Sequence, residues 1–422
     1  MTPDLTNAYL SILKEEMKPA VGCTEPLALA YAAALMRRQL GAVAEHVKVG
    51  VSGNIIKNVK SVTIPNTGGM TGIAAAVAAG IVAGDADREL EVIAHVPDDT
   101  PVRCQQFLRD TGVDIYCLDS GHPLDILVEG RFHRDTAAVR ITCGHTRVVY
   151  LAKNDQVLVN IPMDKLNEEY LNDRSVLNLS SIVEFAEATD LTLLKPLFEP
   201  QMRMNLAIAD YGIEHQCGSG IGRIICGMDS TITAEAMAYA AAGSDARMSG
   251  CAMPVVILSG SGNQGLTASV PVVRYGRALS CDEEKILRAL AVSSLTTIHL
   301  KTGIGKLSAY CGAVCAGCGA GAAIAYLRGA DTRQIEMTVS NALGILSGMI
   351  CDGAKSSCAS KIAMSVYAGI LAYEMVLHNG SFKPGDGIIG ATPEKTVKNV
   401  GIIGAQGMRT TDKVILDIML SQ

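Results

Sequence analysis

The sequence predicts a mainly α protein in which both ends of the chain, residues 1–85 and 197–422, build one helical domain around an inserted α+β domain, residues 86–196. Three observations carry this. Hydrophobic residues make up 49% of the 422 residues and charged residues only 18%, enough apolar surface for a large core. That apolar fraction is Ala, Val, Ile and Leu alongside 42 Gly, with 5 Phe and no Trp, a composition suited to closely packed helices. In the middle of the chain the charge density rises and β-branched runs appear.

In chain order, Thr24-Glu25-Pro26 opens a helix running to Arg38, with Thr24 as its cap, an early acid, Pro in the first turn and basic residues at its end. Asn66-Thr67-Gly68-Gly69 then opens an Ala-rich helix that stops near Gly80 or Gly84. In the insert, strands are expected at Leu90–His95, Val113–Leu118, Leu124–Glu129, Ala137–Cys143 and Arg147–Lys153, with a short helix at Pro101–Arg109. His122, His133 and His145 fall in its turns, without metal-ligand spacing. Helices are then expected at Gln201–His215, Thr231–Ala242, Asp282–His299, Cys311–Leu327, Thr332–Met349, Lys355–His378 and Thr410–Leu420.

A net charge of −6 argues against a nucleic-acid partner. Met1 to Met17 is polar and amphipathic, not a secretory signal, so the expected compartment is the cytoplasm and the thirteen cysteines are expected to remain thiols. The uncharged stretches between Lys306 and Arg328 and from Gly69 to Gly84 are rich in Gly and Ala, not Leu and Phe. They read as core helices and no membrane partner is expected.

Two stretches concentrate thiols: Cys311-x₃-Cys315-x₂-Cys318 and Cys351-x₆-Cys358. Such density points to zinc or an iron–sulfur cluster, and the wide second spacing disfavours zinc. Cys311-x₃-Cys315-x₂-Cys318 alone resembles the radical S-adenosylmethionine motif, but it lies late, in an Ala/Gly helix without βα repeats. Cys23, in Gly22-Cys23-Thr24-Glu25-Pro26, precedes a helix start, where oriented N–H groups favour a thiolate.

Ser259-Gly260-Ser261-Gly262-Asn263-Gln264-Gly265 formally contains G-x-G-x-x-G. The dinucleotide reading needs a long helix after it, and Pro271 is expected to interrupt one. With Asn66-Thr67-Gly68-Gly69 the loop instead offers backbone N–H groups and small polar side chains for a carboxylate. A similar Ser-Gly-Asn loop occurs in fold-type II pyridoxal phosphate enzymes. In that rival reading Lys301 or Lys57 would form the Schiff base, on a parallel α/β scaffold that the helical halves do not supply. Lys301 reads equally as an active-site cation.

Taken together, Gly22–Pro26, Asn66–Gly69, Asp245–Gly250, Gly260–Gly265 and the late cysteines resemble the cysteine desulfidase family, over essentially the whole chain. Its helical core is similar to the α-chain of iron–sulfur L-serine dehydratases. The resemblance implies a [4Fe–4S] cluster held by Cys311, Cys351 and Cys358. Cys23 would be its resting fourth ligand or an acid/base thiolate, and Cys315 and Cys318 packing residues. Lys301, read from its own segment, is expected as a catalytic cation of the site or equally as a solvated helix-end residue. The resemblance also implies an amino-acid substrate, L-cysteine, held by Asn66, Thr67, Gly68, Ser261, Gly262 and Asn263 and split into sulfide, pyruvate and ammonia; a homodimer is expected. Serine dehydratases often end in a Cys-containing tail. The ending Ile418-Met419-Leu420-Ser421-Gln422 has none, which favours the desulfidase branch over L-serine dehydration. A non-enzymatic iron–sulfur sensor is the remaining alternative, and no basic patch accompanies the thiols.

Overall fold

The computed structural model describes residues 1–166 and 170–421; Gln422, the last residue of the thiol-free ending, lies outside them. The fold is mainly α, with small sheets. At its centre runs the helix Gly312–Leu327, buried on almost every side by Gly262–Ala278, Glu283–Ile304, Thr332–Leu346 and Cys358–Leu377. Its glycines permit this. A Cβ on Gly317 would sit 2.4 Å from the Ser365 carbonyl oxygen, and one on Gly369 2.3 Å from that of Gly317, so the two backbones touch. The Ala-rich helix Gly72–Ala83 is buried in the same manner against Thr24–Leu40, where Gly80 meets the Ala30 carbonyl. Both uncharged stretches are therefore core. Cys358–Leu377 is the one helix among the described residues long and apolar enough to cross a membrane, and over half of it is buried in the protein.

Helix boundaries depart from the sequence expectation chiefly at proline. Gly262–Ala278 continues through Pro271, and Leu191–Glu214 starts ten residues before Gln201 and contains Pro196 and Pro200. An internal proline costs a helix about 3 kcal/mol. Val270, Val272 and Val273 are fully buried around Pro271, and this packing outweighs the lost hydrogen bond. The dinucleotide reading still fails, for another reason: the site has no parallel βαβ sheet around it.

Six strands form a mixed sheet in the order Asp114–Cys117, His46–Val51, Asp125–Phe132, Asp135–Thr142, Val148–Lys153, Gln156–Asn160. Only the first pair is parallel. The sheet thus takes one strand, His46–Val51, from before residue 86, and the helix Thr24–Leu40 packs on its central strands. Leu90–His95 is not a strand. The Asp85 carboxylate accepts from the Asp87 N–H and the Asp85 N–H donates to the Val92 carbonyl at 2.8 Å, closing a 3₁₀ turn at Ala86–Glu91. Leu90, Val92 and Ile93 go into the core instead of a ladder. A second, two-stranded sheet pairs Pro19–Val21 with Pro254–Val256 and joins the segment before Cys23 to the one before the Ser259 loop.

Candidate active site

The thiols distant in sequence meet through an irregular strand pairing. Tyr310 and Ile350 form an antiparallel bridge, with the Cys311 N–H donating to the Met349 carbonyl at 3.1 Å and the Cys351 N–H to that of Ala309 at 2.6 Å. This sets Cys311 beside Cys351, and their side chains share a hydrogen bond. Cys358, seven residues later, is the first residue of its helix, brought back by a turn whose Gly353 adopts φ +93°. A Cβ there would lie 2.3 Å from the Lys57 carbonyl oxygen, so only glycine lets the turn pack this closely.

Cys311, Cys351 and Cys358 face one cavity of about 420 Å³, which Cys23, Lys57, Lys301, Arg247, Gly260, Ser261, Asn263 and Gln264 also line. No disulfide joins any of the thirteen cysteines. Cys315 and Cys318 are fully buried one turn and two turns along the central helix and do not line the cavity. No three metal-ligating side chains among the described residues are gathered for a single ion. Cluster thiolates each bind a different iron and stand farther apart than ligands of one ion.

Cys23 caps the helix Thr24–Leu40, one residue before the expected Thr24. The Thr24 hydroxyl donates to the Gly260 carbonyl at 2.7 Å and fastens this helix start to the Ser259 loop. The expected lowering of the Cys23 thiol does not occur. Burial outweighs the Arg247 charge and pushes it up to about 12. Arg247, the largest fully buried side chain, donates to the Gly22 carbonyl at 2.5 Å and to the Asn263 side chain, and its guanidinium fills the space a Cβ on Gly262 would need. Gly262 thus serves Arg247 from behind, whereas Ser261 and Asn263 line the cavity.

Asn66, Thr67 and Gly68 do not line it. They form a turn ahead of the helix, which begins at Gly72 with Thr71 as cap. The Thr67 hydroxyl donates to the Ile64 carbonyl at 2.7 Å and the Asn66 amide to that of Ile93 at 2.9 Å. The neighbouring Pro65 packs against Gly22, so this turn supports the Cys23 segment from outside.

Lys301 ends its helix buried, with no carboxylate partner among the described residues. Burial pulls its ammonium down and the thiols of Cys315, Cys351 and Cys311 oppose this. Lys57 is held by Asp412 at 2.5 Å and donates to the Cys351 carbonyl at 3.3 Å. The other oxygen of Asp412 accepts the Ala309 N–H at 2.9 Å, so one carboxylate of the last helix braces both thiol-bearing segments. Of these two thiols, Cys311 is raised and Cys351 lowered, because Cys351 accepts the hydrogen bond from Cys311 and feels the charges of Lys57 and Lys301. Sequence reasoning gave no site role to Glu25, Arg247 or His145, although Glu25 and Arg247 stand inside the motifs Gly22–Pro26 and Asp245–Gly250, and it named Lys57 only in the rival pyridoxal phosphate reading; all four line this cavity.

The serine dehydratase alpha chain family matches residues 137–417. The chain is 50% identical to a UPF0597 protein of Desulfitobacterium hafniense, covering 98% of this chain and 96% of the relative. It is 44% identical to one of Fusobacterium nucleatum (97% and 98%) and 41% to one of Treponema denticola (98% and 97%).

Proposed function

The chain belongs to the serine dehydratase alpha chain family, whose members are lyases, and from that premise we propose that it is an iron–sulfur L-cysteine desulfidase. The observation that carries this reading is the meeting of Cys311, Cys351 and Cys358 on a cavity that residues of the Ser259–Gln264 loop also line. The donor set fits a cluster. Three thiols converge from two segments, and the buried Lys301 has no carboxylate partner among the described residues, a charge that a negatively charged thiolate-held cluster would balance. Cys311, Cys351 and Cys358 would hold it. Cys23 fits a resting fourth ligand better than a base, because the metal-free thiol stays protonated. When bound, a cluster with one open iron supplies Lewis acidity, and soft iron suits a sulfur leaving group.

The chain's own residues do the rest. The Ser261 and Asn263 side chains and the loop N–H groups hold a small carboxylate, and Arg247 fixes Asn263 from behind. Lys301 and Lys57 offset charge near the thiols. Loss of the α-proton and of sulfide from L-cysteine leaves aminoacrylate, which takes up water to give pyruvate and ammonia. L-Serine, with water as leaving group, is the second reading, favoured by the family match. A pyridoxal phosphate reading is weaker, since no parallel α/β scaffold surrounds Lys301.

The test is anaerobic purification, assay of iron and acid-labile sulfide, and comparison of sulfide release from L-cysteine with pyruvate release from L-serine. A coloured iron-containing protein that prefers L-cysteine is expected. An active iron-free protein overturns the cluster, and a clear preference for L-serine overturns the substrate.

A further inference from the structure

His145 lies in the turn between strands Asp135–Thr142 and Val148–Lys153, whose residues Cys143 through Arg147 line the cavity. The Lys306 ammonium donates to the Cys143 carbonyl at 2.8 Å and ties this turn to the helical body. The imidazole lies against the carboxylate-holding loop, its Cε1 3.1 Å from where a Cβ on Gly260 would be, so glycine is what admits the ring. Its Nε2 is buried and has no hydrogen-bond partner among the described residues. A buried imidazole nitrogen left without a partner loses about 1–3 kcal/mol, a cost that a reacting group recovers when substrate arrives.

We propose that His145 is a catalytic residue that accepts the α-proton of the amino acid held by the Ser259–Gln264 loop; this rests on the elimination reading above. The Cα–H bond breaks, its electron pair forms the Cα–Cβ double bond, and the Cβ–S bond breaks with its pair leaving on sulfide. The proton resides on Nε2 and afterwards passes to water. Two features suit this. Burial, opposed by Glu25 and aided by Lys306, holds the imidazole below its ordinary value, so it is neutral before reaction. Glu25, on the same cavity, then stabilises the imidazolium, its Oε1 fixed by the Asn58 amide at 3.1 Å. The other carboxylates of this wall, Glu15 and Glu16, are turned to Arg174.

The experiment compares wild type, His145→Gln, His145→Gly and the exposed control His133→Ala for iron content, turnover of L-cysteine and the isotope effect of α-deuterated L-cysteine. Both His145 variants are expected to keep their iron and lose about 10²–10⁴-fold in kcat with KM little changed. Added imidazole should restore part of the turnover of His145→Gly, and the control should match wild type. A His145→Gln variant with wild-type kcat, or His145 variants that lose iron in parallel with activity and are not rescued by imidazole, overturn the proposal while the elimination reading stands. A wild type that releases neither sulfide nor pyruvate overturns the reading itself.

Discussion

The helical body and the six-stranded sheet bury themselves by different means. In the body, backbone lies on backbone: Gly317, Gly321 and Gly369 pack without side chains between them, and Cys315 and Cys318 fill what remains. In the sheet, one face packs on the helix Thr24–Leu40 and the other stays polar. Asp125, fully buried at the start of a central strand, is satisfied by Arg140 at 2.6 and 2.8 Å and by Thr142 at 2.9 Å. The body has no room for change but fixes thiols and lysines to narrow positions. The sheet tolerates exposed edges and contributes the turn Cys143–Arg147 to the cavity. Position is therefore set by the body, and the sheet adds one group to it.

Substitutions can break this contrast. Cys311→Ala, Cys351→Ala or Cys358→Ala is expected to abolish iron binding and turnover together, measured by iron assay and sulfide release. Cys315→Ala, on the same helix, should keep both at a stability cost of about 1 kcal/mol. Iron lost from Cys315→Ala instead would move the ligand set along the helix. Gly369→Val should cost about 3 kcal/mol, because its branches meet the Gly317 carbonyl, and thermal unfolding would register it.

Asp125→Asn should cost less, about 2 kcal/mol by denaturant titration. The Asp125 carboxyl is pulled up by burial, but hydrogen bonds from Arg140, Ser120 and Thr142 and the Arg140 charge hold it below its ordinary value. Its contribution is thus present above the unfolded carboxylate pKa of about 4 and is lost as pH falls through the lower folded value. Asp125→Asn should accordingly flatten the acid side of the stability profile. Cys117→Ser, on the exposed edge strand, should stay within about 0.5 kcal/mol of wild type. A larger loss there would show that the edge is covered.

Much of this was legible from composition and spacing. The Ala/Gly bias announced close helix packing, the uncharged stretches announced core helices, and four insert strands stand where the β-branched runs placed them. Pro271 misled, since it lies inside a helix that burial maintains, and the helix expected from Gln201 instead starts at Leu191 and runs through Pro196 and Pro200. The Asn66–Gly69 run misled too. Its glycines serve a turn that packs behind Gly22, and sequence does not distinguish a glycine facing a ligand from one facing another backbone.

By itself the sequence determined which residue types the chemistry can draw on: excess thiols, glycine loops, few charges. Only tertiary structure decided which of them meet. The Tyr310–Ile350 bridge put Cys311 beside Cys351 and left Cys315 in the core. The sheet turn carried His145 to Gly260. The reason is physical: a side chain's charge state and partners depend on burial and on groups hundreds of residues away. Cys23 shows it most plainly, for its place before a helix favours a thiolate and its burial keeps the proton on.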